Sequence, residues 1–187
     1  MQKRLFDLVL IFIFGFIGLL PFLLICMAVK LTSRGPVFHL SKRIGRLNKP
    51  FFMPKFRSMR IGTPQVATHL LSCPENYLTP IGSFLRKSSL DELPQLLSVL
   101  KGQMSFVGPR PALFNQEDLI SLRTDRQIHR LLPGITGWAQ INGRDELPIK
   151  VKVEFDDYYF KNQSLLLDLK ILILTVNKVF KSEGVNH

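Results

Sequence analysis

Cysteine is almost missing from this chain of 187 residues: there are two, Cys26 inside an apolar run and Cys73 in a loop-like stretch. That pair supports neither a disulfide framework nor a thiolate metal cage, and a reducing compartment fits it best. Acidic residues are also scarce, 14 Asp and Glu against 25 Lys and Arg, which leaves a formal charge of +11. A surplus of that sign points to polyanionic partners, namely nucleic acid, anionic lipid headgroups or phosphorylated substrates, and charge alone does not choose among them. The histidines at 39, 69, 129 and 187 are isolated and lack metal-ligand spacing. No P-loop, dinucleotide fingerprint or G-x-S-x-G elbow is present, so the common nucleotide-hydrolysing, dinucleotide and serine-hydrolase signatures are excluded. No internal repeat exceeds the tetrapeptide DELP, there is no low-complexity tract, and the length suits one domain with a real core.

One long hydrophobic run is present. Leu8 to Val29, "LVLIFIFGFIGLLPFLLICMAV", contains no charged residue and is long enough to cross a hydrocarbon core of ~30 Å as a helix. It exceeds the ~7–15 apolar residues of a signal peptide, and no small-residue cleavage pattern follows. Basic residues flank both ends: Lys3 and Arg4 before it, Lys30, Arg34, Lys42, Arg43, Arg46 and Lys49 after it. The positive-inside bias therefore asks for both ends on the cytoplasmic side. Pro21 removes one helical hydrogen bond inside the run and can bend the helix back toward its entry face. A re-entrant hairpin reconciles charge with hydropathy; a simple span with a tolerated proline is the alternative, and the residues alone leave both open. In either case the larger flanking charge places the remaining chain in the cytoplasm.

Downstream, residues 31–63 mix Gly, Pro and basic residues with aromatics and read as turns and short strands. Residues 64–80 read as a surface loop with one helical turn. Residues 81–106 hold a short helix and then a better one ending near Lys101 and Gly102, a basic residue followed by a C-cap glycine. Prolines at 109 and 111 forbid regular helix over 107–114. Residues 115–132 read as helix, acids early and bases late, and 133–148 as a Gly/Pro-punctuated loop. The segment 164–184 is an amphipathic helix, with Ser164 as N-cap and Gly184 as C-cap, that suits either a core position or the membrane interface.

DELP occurs at 91–94 and again at 145–148. At the first copy, Ser89-x-x-Glu92 matches a capping box. Pro94 conflicts with a helix beginning there, so the helix must kink or start later. Adjacent carboxylates at a helix start, Asp91 and Glu92, make a site for Mg²⁺ and phosphate. Lys55, Arg57, Arg86, Arg110 and Arg144 bracket them in sequence, and arginine meets phosphate oxygens with a planar bidentate fork. The second copy lacks the serine and sits in a loop, where Arg144 is a better functional candidate than Asp145 or Glu146.

In chain order, "SRGPVF" (33–38), "KFRSM" (55–59), "IGSFLRKSSLDELPQLLSVLKGQMSFVGPRP" (81–111), "PGITGWAQINGR" (133–144) and "SLLLDLKILILTVNKVFKSEGV" (164–185) resemble the bacterial sugar transferases, monotopic polyprenyl-phosphate sugar-phosphate transferases. The resemblance covers nearly the whole chain. It implies an α+β fold, predominantly helical: a re-entrant membrane helix over 1–34 broken at Pro21, then a cytosol-facing catalytic domain over 35–187 with short strands and interfacial amphipathic helices. It also implies a ping-pong reaction in which a carboxylate attacks the β-phosphate of a UDP-sugar, UMP leaves, and polyprenyl phosphate takes the phosphosugar. Asp91 is then the nucleophile and Glu92 the Mg²⁺ ligand. Lys55, Arg57, Arg86, Arg110 and Arg144 contact phosphate, nucleotide or lipid phosphate, and Asp156 matches a family acid among the substrate-binding positions. The setting implied is the cytoplasmic face of a bacterial inner membrane, in contact with its lipid and with downstream glycosyltransferases, and without nucleic acid. Leu20 stands where the family often has serine before the proline. Two competing classes are a membrane-tethered binder of anions that does no chemistry and a Mg²⁺-dependent phosphatase or pyrophosphatase.

Overall fold

The structure is a computed structural model that describes residues 2–64, 66, 71, 73–143 and 147–181. Its longest element is α1, Gln2–Thr32, the one described helix long and apolar enough to cross a membrane. The expected helix-break-helix is a single helix running through Pro21. Proline removes one N–H, and the turns on either side keep their own hydrogen bonds. Asp7, Leu10, Ile11, Phe22, Ile25, Cys26 and Val29 recur at helical spacing and pack on the rest of the protein, whereas Phe12, Phe16, Ile17, Leu20 and Leu24 are exposed.

Both ends of α1 are fastened to the same body. At the start, Lys3 Nζ donates to Asp168 at 2.5 Å and to Tyr159 Oη at 3.0 Å, and Arg4 donates to the carbonyls of Val99 and Leu100. Asp7 accepts from Ser105 Oγ and from the Phe106 amide. At the other end Val29 is fully buried, in a cluster with Ile25, Phe56 and Leu85. Phe14 lies 5.8 Å from Phe106 and Phe22 lies 5.0 Å from Phe56, ring centre to ring centre.

Strands β1 (Phe38–Ile44) and β2 (Pro50–Phe56) form an antiparallel hairpin with Phe38 opposite Phe56 and Lys42 opposite Phe52. Alternation along β2 buries Phe51 and Met53 on one face and exposes Phe52, while Phe56, of the opposite parity, is buried in the separate cluster with Val29 and Leu85. Next come α2 (Gly82–Lys87), a 3₁₀ turn over Leu90–Gln95 and α3 (Leu96–Leu100), with Gly102 at φ +75° just past the helix end. The expected pair of helices and their glycine stop are therefore present. Strand β3 (Ser105–Val107) follows, then β4 (Ala112–Leu113), which joins the other edge of β1.

The expected helix over 115–132 is shorter: α4 is Glu117–Asp125, after which Gln127 turns left-handed at φ +59° into a 3₁₀ turn over Ile128–Arg130. The expected loop over 133–148 contains β5 (Gly134–Thr136), paired in parallel with β3, and α5 (Trp138–Ile141). Glycine permits that pairing. A Cβ on Gly134 would stand 2.1 Å from the Gly108 amide nitrogen, so punctuation residues here mark close backbone approach.

Two helices complete the body, α6 (Ile149–Lys161) and α7 (Leu165–Lys181). Ser164 caps α7 through its hydroxyl, which accepts from the Leu167 amide at 3.2 Å; Gly184 lies outside the described residues. Helix α7 buries Asp168 and Ile171, and leaves an apolar stripe of Leu166, Leu169, Ile173 and Val176 exposed on another side. The main core gathers Phe51, Met53, Val99, Met104, Val107, Tyr159 and Ile171 from most of these elements.

Candidate active site

The first DELP lies where β2 packs against the 3₁₀ turn. Ser89 takes a left-handed conformation, φ +56°, which turns the chain out of α2 and points the next residues at the sheet. The expected capping box does not form: Ser89 makes no side-chain cap, and Glu92 is bound elsewhere. A left-handed Ser89 does not have the extended backbone of an N-cap residue. The regular helix starts later, at Leu96, and Pro94 is accommodated in the 3₁₀ turn.

Glu92 Oε1 accepts from Lys55 Nζ at 2.7 Å and from Arg110 Nη2 at 3.1 Å. Lys55 comes from β2 and Arg110 from the loop between β3 and β4, so three distant segments meet on one oxygen. Asp91 beside it is only 8% exposed. Burial raises the Asp91 pKa and the neighbouring Glu92 charge adds to it, against the pull of Lys55, Arg86 and Arg110. For Glu92, burial works in the same direction, but the charges and hydrogen bonds of Lys55 and Arg110 outweigh it and hold the carboxyl far below its usual range. The two neighbours are thereby split into a fixed anion and a more basic carboxylate, the arrangement that assigns different chemical roles to paired acids.

Of the residues expected at the site, Asp91, Glu92, Lys55 and Arg110 converge, and the Arg86 charge reaches Asp91. Arg57 is placed differently. It is 5% exposed, and its fork is spent on the Ser33 and Arg34 carbonyls and the Ser33 hydroxyl, so it ties the end of α1 to β2 instead of reaching for phosphate. Asp156 is engaged away from the acid pair. It is buried, with Oδ2 accepting from Arg123 Nε at 3.0 Å and from Arg123 Nη2 at 2.6 Å. Pro21 lies within α1, and Arg144, Asp145 and Glu146 lie outside the described residues. Sequence reasoning missed Arg123. Its signal was its place one helical turn after Leu119, on the buried face of α4, where an arginine needs a partner.

Among the described residues no three His, Cys, Asp or Glu side chains converge as a metal cage. Mg²⁺ does not require one, since it is commonly held by one or two carboxylates, water and substrate phosphate oxygens. Adjacent Asp91 and Glu92 fit that donor set, and both cations on Glu92 use the same oxygen, Oε1.

The family described as bacterial sugar transferase matches residues 1–182. The uncharacterized sugar transferase EpsL of Bacillus subtilis (strain 168) is 45% identical over 99% of this chain and 90% of its own length. The UDP-glucose:undecaprenyl-phosphate glucose-1-phosphate transferase of Xanthomonas campestris pv. campestris is 43% identical over 95% of this chain, which spans 38% of that longer protein. The exopolysaccharide production protein ExoY of Sinorhizobium fredii is 39% identical over 98% of this chain and 87% of its own length.

Proposed function

Since the chain belongs to the bacterial sugar transferase family, we propose that it moves a sugar 1-phosphate from a UDP-sugar to a polyprenyl phosphate such as undecaprenyl phosphate. The products are UMP and a polyprenyl-diphosphate sugar, which opens assembly of a lipid-linked glycan for downstream glycosyltransferases. The observation that carries the reading is the split acid pair: a buried Asp91 of raised pKa beside a Glu92 held ionised by Lys55 and Arg110. In the first step an Asp91 oxygen attacks the β-phosphorus, and the bond from that phosphorus to the bridging oxygen breaks. UMP departs with the electron pair, leaving an aspartyl phosphosugar. In the second, a phosphate oxygen of the lipid attacks the same phosphorus and the Asp91 carboxylate is regenerated. Dividing one displacement into two in this way is nucleophilic catalysis. Lys55, Arg86 and Arg110 orient the diphosphate and offset charge on the moving phosphoryl group. Mg²⁺, held by Glu92 with Asp91 adjacent, supplies further charge neutralisation when bound.

The membrane arrangement follows the same reading. A straight crossing would put the bilayer between the ends of α1, yet Lys3 and Val29 both contact one body. This supports a re-entrant helix at the cytoplasmic face of the inner membrane, with the exposed apolar stripe of α7 lying in the interface. Purified protein with Mg²⁺, a panel of UDP-sugars and undecaprenyl phosphate is expected to release UMP with at least one sugar. UMP release that continues past one turnover without lipid would refute transfer in favour of hydrolysis.

A further inference from the structure

The segment that delivers Arg110 is gripped residue by residue. Ser105 and Phe106 bond to Asp7, and the Val107 carbonyl accepts from Tyr159 Oη at 3.3 Å. The Gly108 amide donates to Thr136, and the Pro109 carbonyl accepts from Gly134. The next carbonyl, that of Arg110 itself, accepts from Arg123 Nη1 at 2.8 Å, and that of Pro111 accepts from Arg43 Nη1 at 3.1 Å.

Arg123 differs from the other contacts in being a buried charge that is itself oriented. Two of its nitrogens rest on Asp156, a residue 1% exposed, which leaves the third directed at the Arg110 carbonyl. A planar fork docked through two nitrogens on one side has little freedom left for its remaining donor. We propose that Arg123, oriented by Asp156, is a positioning residue: it fixes the Arg110 peptide so that the Arg110 side chain meets Glu92 and the substrate diphosphate. The effect passes from α6 through α4 to the active-site loop, and neither Arg123 nor Asp156 touches the reacting atoms. This inference rests on the reading of Arg110 as a substrate-site residue given above.

A double-mutant cycle tests it. Arg123→Met with Asp156→Leu removes both charges together, which avoids stranding one of them and is compatible with folding. In an otherwise wild-type protein the pair is expected to lower kcat/KM for UDP-sugar by about tenfold, within the range that coupled residues show, with a melting temperature near wild type. In an Arg110→Met background the same pair should cost almost nothing further, because the side chain being positioned is gone. Additive losses in the two backgrounds, or full activity of the Arg123/Asp156 pair, would overturn the proposal and leave Arg123 as an ordinary ion pair between α4 and α6. If the double variant fails to fold, Asp156→Asn takes its place in the cycle. The same cycle read by calorimetric binding of UDP tests the positioning independently of turnover, so inactivity of wild-type protein would count against the proposed reaction and not against this step.

Discussion

Replacing Asp91 with asparagine should remove activity and stabilise the protein at once, and the two effects have separate causes. A side-chain amide cannot form the phosphosugar ester, so UMP release should fall by at least about a thousandfold, a loss typical of deleting a nucleophile. Stability moves the other way because the native structure raises the Asp91 pKa. A carboxyl whose pKa is higher folded than unfolded binds its proton more tightly in the native state. Its charge costs nothing below the unfolded value of 3.8, costs progressively more as pH rises from there through the raised value, and costs the full amount above it. Each unit of displacement is worth about 1.4 kcal/mol, and an amide escapes that cost while keeping the shape. At neutral pH and without Mg²⁺ the asparagine variant should therefore melt above the wild type, each 1 kcal/mol gained being worth roughly 2–4 °C for a chain of this size. The gain should shrink to nothing below about pH 4, where the carboxyl is protonated in both states, and should narrow when Mg²⁺ favours the ionised carboxylate of the wild type. Thermal melts of the two proteins across pH, beside a UMP-release assay, supply both readouts. Normal UMP release would eliminate Asp91 as nucleophile, and a melting temperature lowered at neutral pH would refute the argument from burial.

Glu92→Gln should shift the Mg²⁺ titration of activity to concentrations about tenfold higher or more, as loss of a charged ligand does; an unchanged titration would remove Glu92 from the metal site. Asp168→Asn breaks a buried ion pair with Lys3 whose partner is 25% exposed. Its cost should therefore fall below the ~3–5 kcal/mol of fully buried pairs, at about 2 kcal/mol, and an unchanged melting temperature would contradict it. Leu166→Glu with Ile173→Glu places charge on the exposed stripe of α7 and should weaken binding of the detergent-free protein to anionic vesicles in flotation; undiminished flotation would take α7 out of the interface.

How much of this was legible in the sequence depended on the range of the interactions. The apolar helix of the N-terminal run, though not its continuity through Pro21, the delayed helix start at Pro94 and the Ser164 cap are local consequences of hydropathy, a missing N–H and a hydroxyl, and could be read from short windows. Strand β5 could not, because Gly134 joins the sheet through close approach to Gly108, a contact no window of residues 133–148 contains. The same limit applies within the site. Asp91 and Glu92 stand out in sequence as an adjacent acidic pair, but the choice between Arg110, which reaches Glu92, and Arg57, which is spent on the end of α1, was made by tertiary packing. Basic residues in aromatic and proline-rich loops look alike in sequence, and what separates them is the acceptor each one meets.

Lys3 shows the same dependence at the membrane. Counted along the chain, it is one more positive charge flanking a hydrophobic run, and the positive-inside rule weighs it as a preference for the cytoplasm. In the fold its ammonium is bound to Asp168 and Tyr159, and Arg4 and Asp7 beside it are bound to α3 and β3. The charges in the first turns of α1 are therefore docking contacts as well as topology signals, and docking sets a stricter condition. A charge preference is satisfied anywhere on the cytoplasmic side, whereas these contacts require the start of α1 to lie against the body that buries Val29 at its end. Lys3 and Val29 thus report on one surface, and Pro21 lies within a helix that stays continuous between them, held by contacts at both ends and not by the sequence around the proline alone.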